Sequence, residues 1–425
     1  MSQKIHVHNK KLDEFKSKTL YDKLEIGQQH FIDDICDQHK LSFQELRQLT
    51  EACRDLDMWQ EQSLETWWKK EFSQSVLKGP ALKKYLFKKL RAHLDNLKKS
   101  EKAYLKAAPV VKKPRESSKV ITQKSDKNIM GMCPVASEKT VCCNLRTIDA
   151  VENCAFGCSY CSVQTFYSKN FVFDEKFSEK LNSIDLQSDR FYHIGTGQAS
   201  DSLLWGNRNN NLDSLCTFAT QHPKVLLELK TKSDNISYFL ENAIPQNMVL
   251  SWSMNTQTVI ENEEHFTASL EKRLNAARRV ANKGIKVAFH FHPMVYYQGW
   301  DTDYPELADR LMHMFSPNEV LFISFGTVTL IKPVMKNVRQ LGYSTKILQM
   351  DMVPDPHGKL TYPDDVKIKL FKTQYSSFAP WHNKTFFYLC MEKSSIWHNT
   401  MGYDYPTNEE FEAEFGRHTM TKLRG

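Results

Sequence analysis

Between residues 28 and 106 the apolar positions recur every three or four residues. Leu46, Leu49, Cys53 and Leu56 share one helix face, and Ser42 and Glu45 have the spacing of a capping box just before it. Gly79-Pro80 breaks the pattern. Tyr85, Leu86, Leu90, Leu94 and Leu97 then predict a further helix, with Lys and Arg on its other faces. From 107 to 130 large apolar residues thin out, while Pro109, Pro114, five Lys and several Ser appear; this composition predicts a linker.

From about residue 132 the rhythm changes to short apolar runs, at Val141–Ile148, Phe191–Ile194, Val225–Leu229, Met248–Met254, Ile285–Phe291, Val320–Phe325 and Ile347–Met352. Helical patterns separate some of them. Leu270, Leu274, Ala277 and Ala281 form one, ending near Gly284, and another spans Pro305 to Phe315. Strand, helix, strand repetition predicts an α/β fold with a parallel sheet and crossover helices, curved into an incomplete barrel. In such folds chemistry gathers on loops at the carboxyl ends of the strands. The expected organisation is a helical module over 1–106, a linker over 107–130, the barrel over 131–400 and a C-terminal tail over 401–425.

Composition narrows the class. With 41% apolar residues the 425-residue chain is too apolar to be disordered, and no run approaches the ~18 apolar residues of a membrane helix. Met1 to Lys11 is polar, without the apolar core of a signal peptide, so the expected location is the cytoplasm. Ten cysteines without regular spacing argue against a secreted disulfide scaffold and for metal binding or catalysis in a reducing compartment. Charge is uneven: Ala81 to Lys127 holds 15 Lys/Arg against 4 Asp/Glu, in a chain of net charge +7, which leaves the remainder mildly acidic. A basic module suits a polyanion, DNA first, and equally a solvated helix face. Trp59, Trp67, Trp68 and Tyr85 beside it suit base stacking, or more simply a helical core.

The densest chemistry is Cys154-Ala-Phe-Gly-Cys158-Ser-Tyr-Cys161, on the loop after the first expected barrel strand. Iron–sulfur clusters are held by Cys thiolates. Three thiolates on one tight loop leave one iron of a four-iron cluster open, as catalytic metal sites keep a vacant position. Gly157 is expected to allow a sharp turn between ligands. Zinc sites prefer two Cys-x-x-Cys pairs, and no second pair follows.

This spacing, with Tyr160 before the third cysteine, resembles the radical S-adenosylmethionine superfamily. The stretches Leu227–Asn235, Leu250–Asn255, Ser269–Gly284 with Phe289–Trp300, and Tyr388–Met391 resemble the spore photoproduct lyase family within it. The resemblance implies a partial (β/α)6 TIM-like barrel of the radical SAM type. It implies a [4Fe–4S] cluster on Cys154, Cys158 and Cys161, and S-adenosyl-L-methionine cleaved to a 5′-deoxyadenosyl radical that acts on a thymine lesion in DNA. It also implies an electron donor such as flavodoxin or ferredoxin. Ser200, Lys232 and Ser253 match the family's cofactor contacts, Asn255 and Lys359 fall on matching segments, and Gly195 and Gly197 lie on the glycine-rich strand end that meets the methionine amine. By the same resemblance, Tyr160 and Gln198 occupy the catalytic positions. In the lyase a cysteine stands where this chain has Gln198 and returns the hydrogen atom, and a tyrosine that assists it stands where this chain has Ser162.

Two features remain. Cys133, Cys142 and Cys143 suit a second cluster or the missing thiol, although adjacent cysteines on a strand would point to opposite faces. His290 and His292 share one strand face and suit a metal, or a pocket wall and hydrogen bonding. Besides lesion repair, two function classes stay open: a radical enzyme acting on RNA or protein, and a non-catalytic Fe–S sensor that binds nucleic acid.

Overall fold

The computed structural model describes residues 12–105, 108, 118–133, 139–166 and 170–424. It divides into two compact units. One comprises residues 1–111 and 331–351, the other 112–330 and 352–425.

The first unit is helical. Its helices include α1 (Ile26–Gln38), α2 (Phe43–Met58), α3 (Leu64–Ser73) and α4 (Gly79–Lys99), together with a helix over Lys332–Leu341. Ser42 accepts from the Glu45 amide and Glu45 reaches back to the Ser42 amide, so the capping box forms. Leu46, Leu49 and Leu56 are fully buried, and Trp59, Trp67 and Trp68 are core residues, which removes them as base-stacking platforms. Asp55 holds Arg339 through two bonds of 2.7 and 2.8 Å. Of the run Ile347–Met352, expected as a strand, residues 347–351 belong to this unit, and Ile347–Gln349 is a short 3-10 turn. Ile347, Leu348 and Met350 are buried all the same, and Lys346 donates to the Trp59 carbonyl at 2.7 Å. A short apolar run reports burial, and periodicity alone does not say against what.

The second unit is built on an eight-stranded sheet: β1 (Met130–Met132), β2 (Arg146–Ile148), β3 (Tyr192–Thr196), β4 (Val225–Thr231), β5 (Met248–Ser253), β6 (Val287–Met294), β7 (Val320–Thr327) and β8 (Phe386–Leu389). The strands lie side by side in chain order. β2 to β8 are all parallel, and only β1 is antiparallel to its neighbour. Helices such as α5 (Leu270–Asn282) make the crossovers, and the sheet curls into the expected half-barrel. Three expectations change. The first strand is short, since Val141 makes only an isolated bridge to Glu392 and residues 142–145 form a loop. Within the expected linker, residues 107 and 109–117 lie outside the described residues, and Val120–Gln123 is a strand parallel to Phe171–Asp174. Nor is the C-terminal stretch a tail: α6 (Asn408–Arg424) drives Phe411 and Phe415, both fully buried, under the sheet against His193, Phe322 and Phe386. Among the described residues no helix is long and apolar enough to cross a membrane.

Candidate active site

The cysteine loop is pinned by backbone pairing. Gly157–Cys158 forms a two-residue antiparallel ladder with Glu264–His265, and the Ser159 amide donates to the Glu263 carbonyl at 2.9 Å. Gly157 has no left-handed backbone. A side chain there would instead meet the Phe266 ring at 3.1 Å, so the glycine provides room for a close approach rather than a turn. Cys154, Cys158 and Cys161 line one cavity together with Tyr160, Gln198, Ser200, Lys232 and Ser253.

The opposite wall comes from strand ends. Gly197, just after β3, has φ +96°, and a Cβ there would come within 2.7 Å of the Lys230 carbonyl and 2.8 Å of Ser202 Oγ. Only glycine fits this turn, and it leaves bare backbone at the cavity. Asp201 is buried and organises the turn: its carboxylate accepts from Thr231 Oγ1 at 2.8 Å, the Lys232 amide at 2.7 Å, and the Leu203 and Leu204 amides. The Asp201 bonds thereby tie the end of β4 to the end of β3.

Glu264 is the hub of the second wall. It is fully enclosed, paired with Arg273 of α5 at 2.6 Å, and 4.0 Å from Lys232 Nζ. It also accepts from the Tyr160 hydroxyl. Burial pushes its carboxyl up, but Arg273 and then Lys232 outweigh this and hold it below the ordinary value. Burial and the Glu264 charge hold Tyr160 as a neutral phenol. Lys232 lies 5.6 Å over the Tyr160 ring.

The residues present fit a cluster. Burial pushes the Cys154 thiol up to about 12 and Cys158 well above its ordinary range, with Lys232 acting against this at Cys158. Desolvated thiols of this kind become thiolates when a metal supplies the compensating charge. Among the described residues no three His, Cys, Asp or Glu side chains suit a single metal ion. A polynuclear cluster, whose separate irons take separate thiolates, makes no such demand.

Not every expected residue shares this cavity. Asn255 stands in the wall behind it, donating to the Pro293 carbonyl at 2.9 Å and accepting from Tyr304 at 2.7 Å. Lys359 lines a neighbouring cavity with Asp355, His357 and Lys393, which shares Tyr160 and His292 with the first. Gly195 lines a third, with Cys133, Cys142, Cys143 and Cys390, which shares Gln198, Lys230 and His292. Because residues 142 and 143 lie in a loop, the strand argument against their joint action does not hold. Their thiols are hydrogen-bonded to each other, and this bond lowers Cys142 to about 7 while raising Cys143.

Sequence reasoning missed Asp201, Glu228, Glu264 and Arg273. Glu228 carried a signal: a carboxylate in the apolar run Val225–Leu229. It sits inside the barrel, accepting from His193 Nε2 at 2.8 Å, from His290 Nε2 and from the Ser251 hydroxyl. His290 is thus hydrogen-bonded and buried rather than poised for metal.

A family model for spore photoproduct lyase matches residues 145–357. The spore photoproduct lyase of Geobacillus sp. (strain Y412MC61) is 25% identical over 247 residues, covering 55% of this chain and 72% of that protein. That of Clostridium acetobutylicum is 26% identical over 178 residues, covering 40% and 53%. A spore photoproduct lyase variant solved with bound AdoMet and dinucleoside spore photoproduct aligns with TM-score 0.54 and 19% identity, over 64% of this chain and 81% of that one. That likeness shows the fold, and the family match over half the sequence shows descent: the chain belongs to the spore photoproduct lyase family.

Proposed function

We propose that this protein is a radical S-adenosylmethionine enzyme acting on a thymine lesion in DNA. One observation carries the reading: in a member of this family, three loop cysteines, Lys232, Ser253 and the bare backbone at Gly197 surround one cavity. Cys154, Cys158 and Cys161 would hold a [4Fe–4S] cluster, and Gly197, Ser200, Lys232 and Ser253 would face S-adenosylmethionine. When bound, the two together supply a 5′-deoxyadenosyl radical that removes a hydrogen atom from the substrate.

The chain's own part is placement. Lys232 offers a cation to a carboxylate and is steadied by Glu264. The Glu264–Arg273 pair fixes Tyr160, and the β-ladder beneath it fixes the cysteine loop. Asn255 acts as a positioning residue through Tyr304 and the Pro293 carbonyl. Gln198 lies where the family's donor thiol is expected, so hydrogen return here takes another route, and the thiols of the adjoining cavity are the available donors. An electron donor of the flavodoxin or ferredoxin type would reduce the cluster.

The test is anaerobic turnover of the reconstituted protein against dinucleotides carrying different thymine lesions, with products identified by mass. The expected result is 5′-deoxyadenosine together with a repaired thymine. With dinucleoside spore photoproduct, Gln198→Cys is expected to raise the yield of intact thymine. If the reduced protein forms no 5′-deoxyadenosine with any substrate, the enzymatic reading is wrong and a sensor role replaces it.

A further inference from the structure

The barrel interior contains a polar chain that begins at Glu228 and ends at the site described above. Glu228 on β4 accepts from His290 Nε2 on β6. The other nitrogen of His290, Nδ1, lies 2.5 Å from Ser324 Oγ on β7, and the same oxygen lies 3.2 Å from His292 Nε2. His292 lines all three cavities.

Proton counting sets the direction of every bond. Glu228 is held ionised, because the two histidines and their hydrogen bonds outweigh its burial, and an ionised carboxylate only accepts. His290 is fully enclosed, and burial, with Lys230 adding to it, lowers it to about 4, so the ring is neutral and has one N–H. That proton sits on Nε2, facing the carboxylate, and Nδ1 is therefore a lone pair. Ser324 must spend its single proton on that lone pair. Its oxygen then accepts from His292. His292 consequently carries its proton on Nε2, and its Nδ1 is a lone pair with no partner among the described residues. The ring cannot swing toward β7, since it packs against Gly326 so closely that an added Cβ would lie 3.1 Å from it.

We propose that His292 reads the substrate: its Nδ1, fixed as a hydrogen-bond acceptor by the Glu228–His290–Ser324 chain, receives an N–H from the bound ligand, the imide of a thymine ring. The assignment rests on the thymine reading above, since an imide N–H is the donor that a thymine lesion presents. A site built to accept this proton rejects an analogue that lacks it, because the buried acceptor is then left unpaired.

The experiment has two arms on the reconstituted full-length protein with the cluster oxidised. Histidine-selective 15N NMR, with the His292 signal assigned by its loss in His292→Ala, reads which ring nitrogen is protonated. The expected result is a protonated Nε2 and a bare Nδ1, unmoved by S-adenosylmethionine alone and shifted by dinucleoside spore photoproduct. A protonated Nδ1, or a response to S-adenosylmethionine alone, would overturn the assignment. Titration calorimetry then compares that dinucleotide with its N3-methylated form. The wild type is expected to prefer the unmethylated ligand about tenfold, and His292→Ala and Ser324→Ala to erase the preference. Equal binding of both ligands by the wild type would sink the proposal. If neither ligand binds, the thymine reading of the preceding section fails instead, and the NMR arm still decides whether His292 is a fixed acceptor.

Discussion

Glu264 and Arg273 are both fully buried, and each is tolerable there only because the other is present. Arg273 also donates to the Ser253 carbonyl at 2.8 Å and the Ala268 carbonyl at 2.9 Å, so it braces the end of β5 beside the cavity. Glu264→Gln would leave this guanidinium uncompensated in low dielectric, which typically costs about 3–5 kcal/mol. The expected outcome is a large drop in the urea midpoint, together with loss of the Tyr160 anchor. The cluster ligands make a separate prediction: anaerobic reconstitution should give about four irons per chain, and replacing Cys154, Cys158 and Cys161 together should abolish the absorbance while circular dichroism stays close to wild type. Acid sensitivity follows from the buried rings. Burial lowers both His265 and His290 to about 4, so in the folded chain they stay neutral while their unfolded counterparts take up protons below about 6.5. The unfolded state then binds more protons, and stability falls as pH drops from 6.5 to 4, by roughly 3 kcal/mol per ring. Urea titrations of the cluster-free chain at pH 7, 5.5 and 4.5 would measure this, and a flat profile across that window would contradict it.

At the scale of elements, α6 packs its aromatic rings under the sheet, while Asn408, Glu412 and Lys422 tie its rim by hydrogen bonds. Phe415 lies 5.2 to 5.3 Å, centroid to centroid, from Phe386 and Phe322, and 4.9 Å from His193, the ring that bonds Glu228. Phe415→Ala should therefore cost about 3–5 kcal/mol through a cavity under the sheet, read as a lowered denaturant midpoint. The ladder between Gly157–Cys158 and Glu264–His265 shows how a loop becomes a rigid ligand set. Its two residue pairs and the Ser159 amide bond join a sequence-local motif to a segment more than a hundred residues away.

For the whole molecule, charge is distributed by unit. On α4 the exposed residues Lys84, Lys88 and Arg91 recur at helical spacing, with Lys89 and Lys99 also exposed, while Leu82, Leu86, Phe87 and Leu90 face the core. This stripe suits a phosphate backbone, and each phosphate contact made by a cation releases a counterion. Reversing three charges in Lys84→Glu/Lys88→Glu/Arg91→Glu should weaken DNA binding and flatten the slope of log affinity against log salt by about two to three. An unchanged slope would mean that the stripe is only a solvated helix face.

What was legible in the sequence was local. The Cys154, Cys158, Cys161 spacing, the capping box at Ser42 and the apolar strand runs all lie within a few residues of one another, so covalent connectivity alone brings them together. The parallel sheet with its crossover helices was legible as well, because strand and helix patterns alternate along the chain. The sequence did not reveal that Ile347–Met350 would be buried in the helical unit, or that residues 408–424 would pack under the sheet, since an apolar run does not name its partner. Nor did it reveal the groups that tune the site. Glu264, Arg273, Asp201 and Glu228 come from separate segments, and their ionisation and hydrogen bonds depend on exclusion from water and on neighbours distant in sequence. Burial and pairing arise only when the chain closes on itself, so the tertiary structure decided which polar residues form the site.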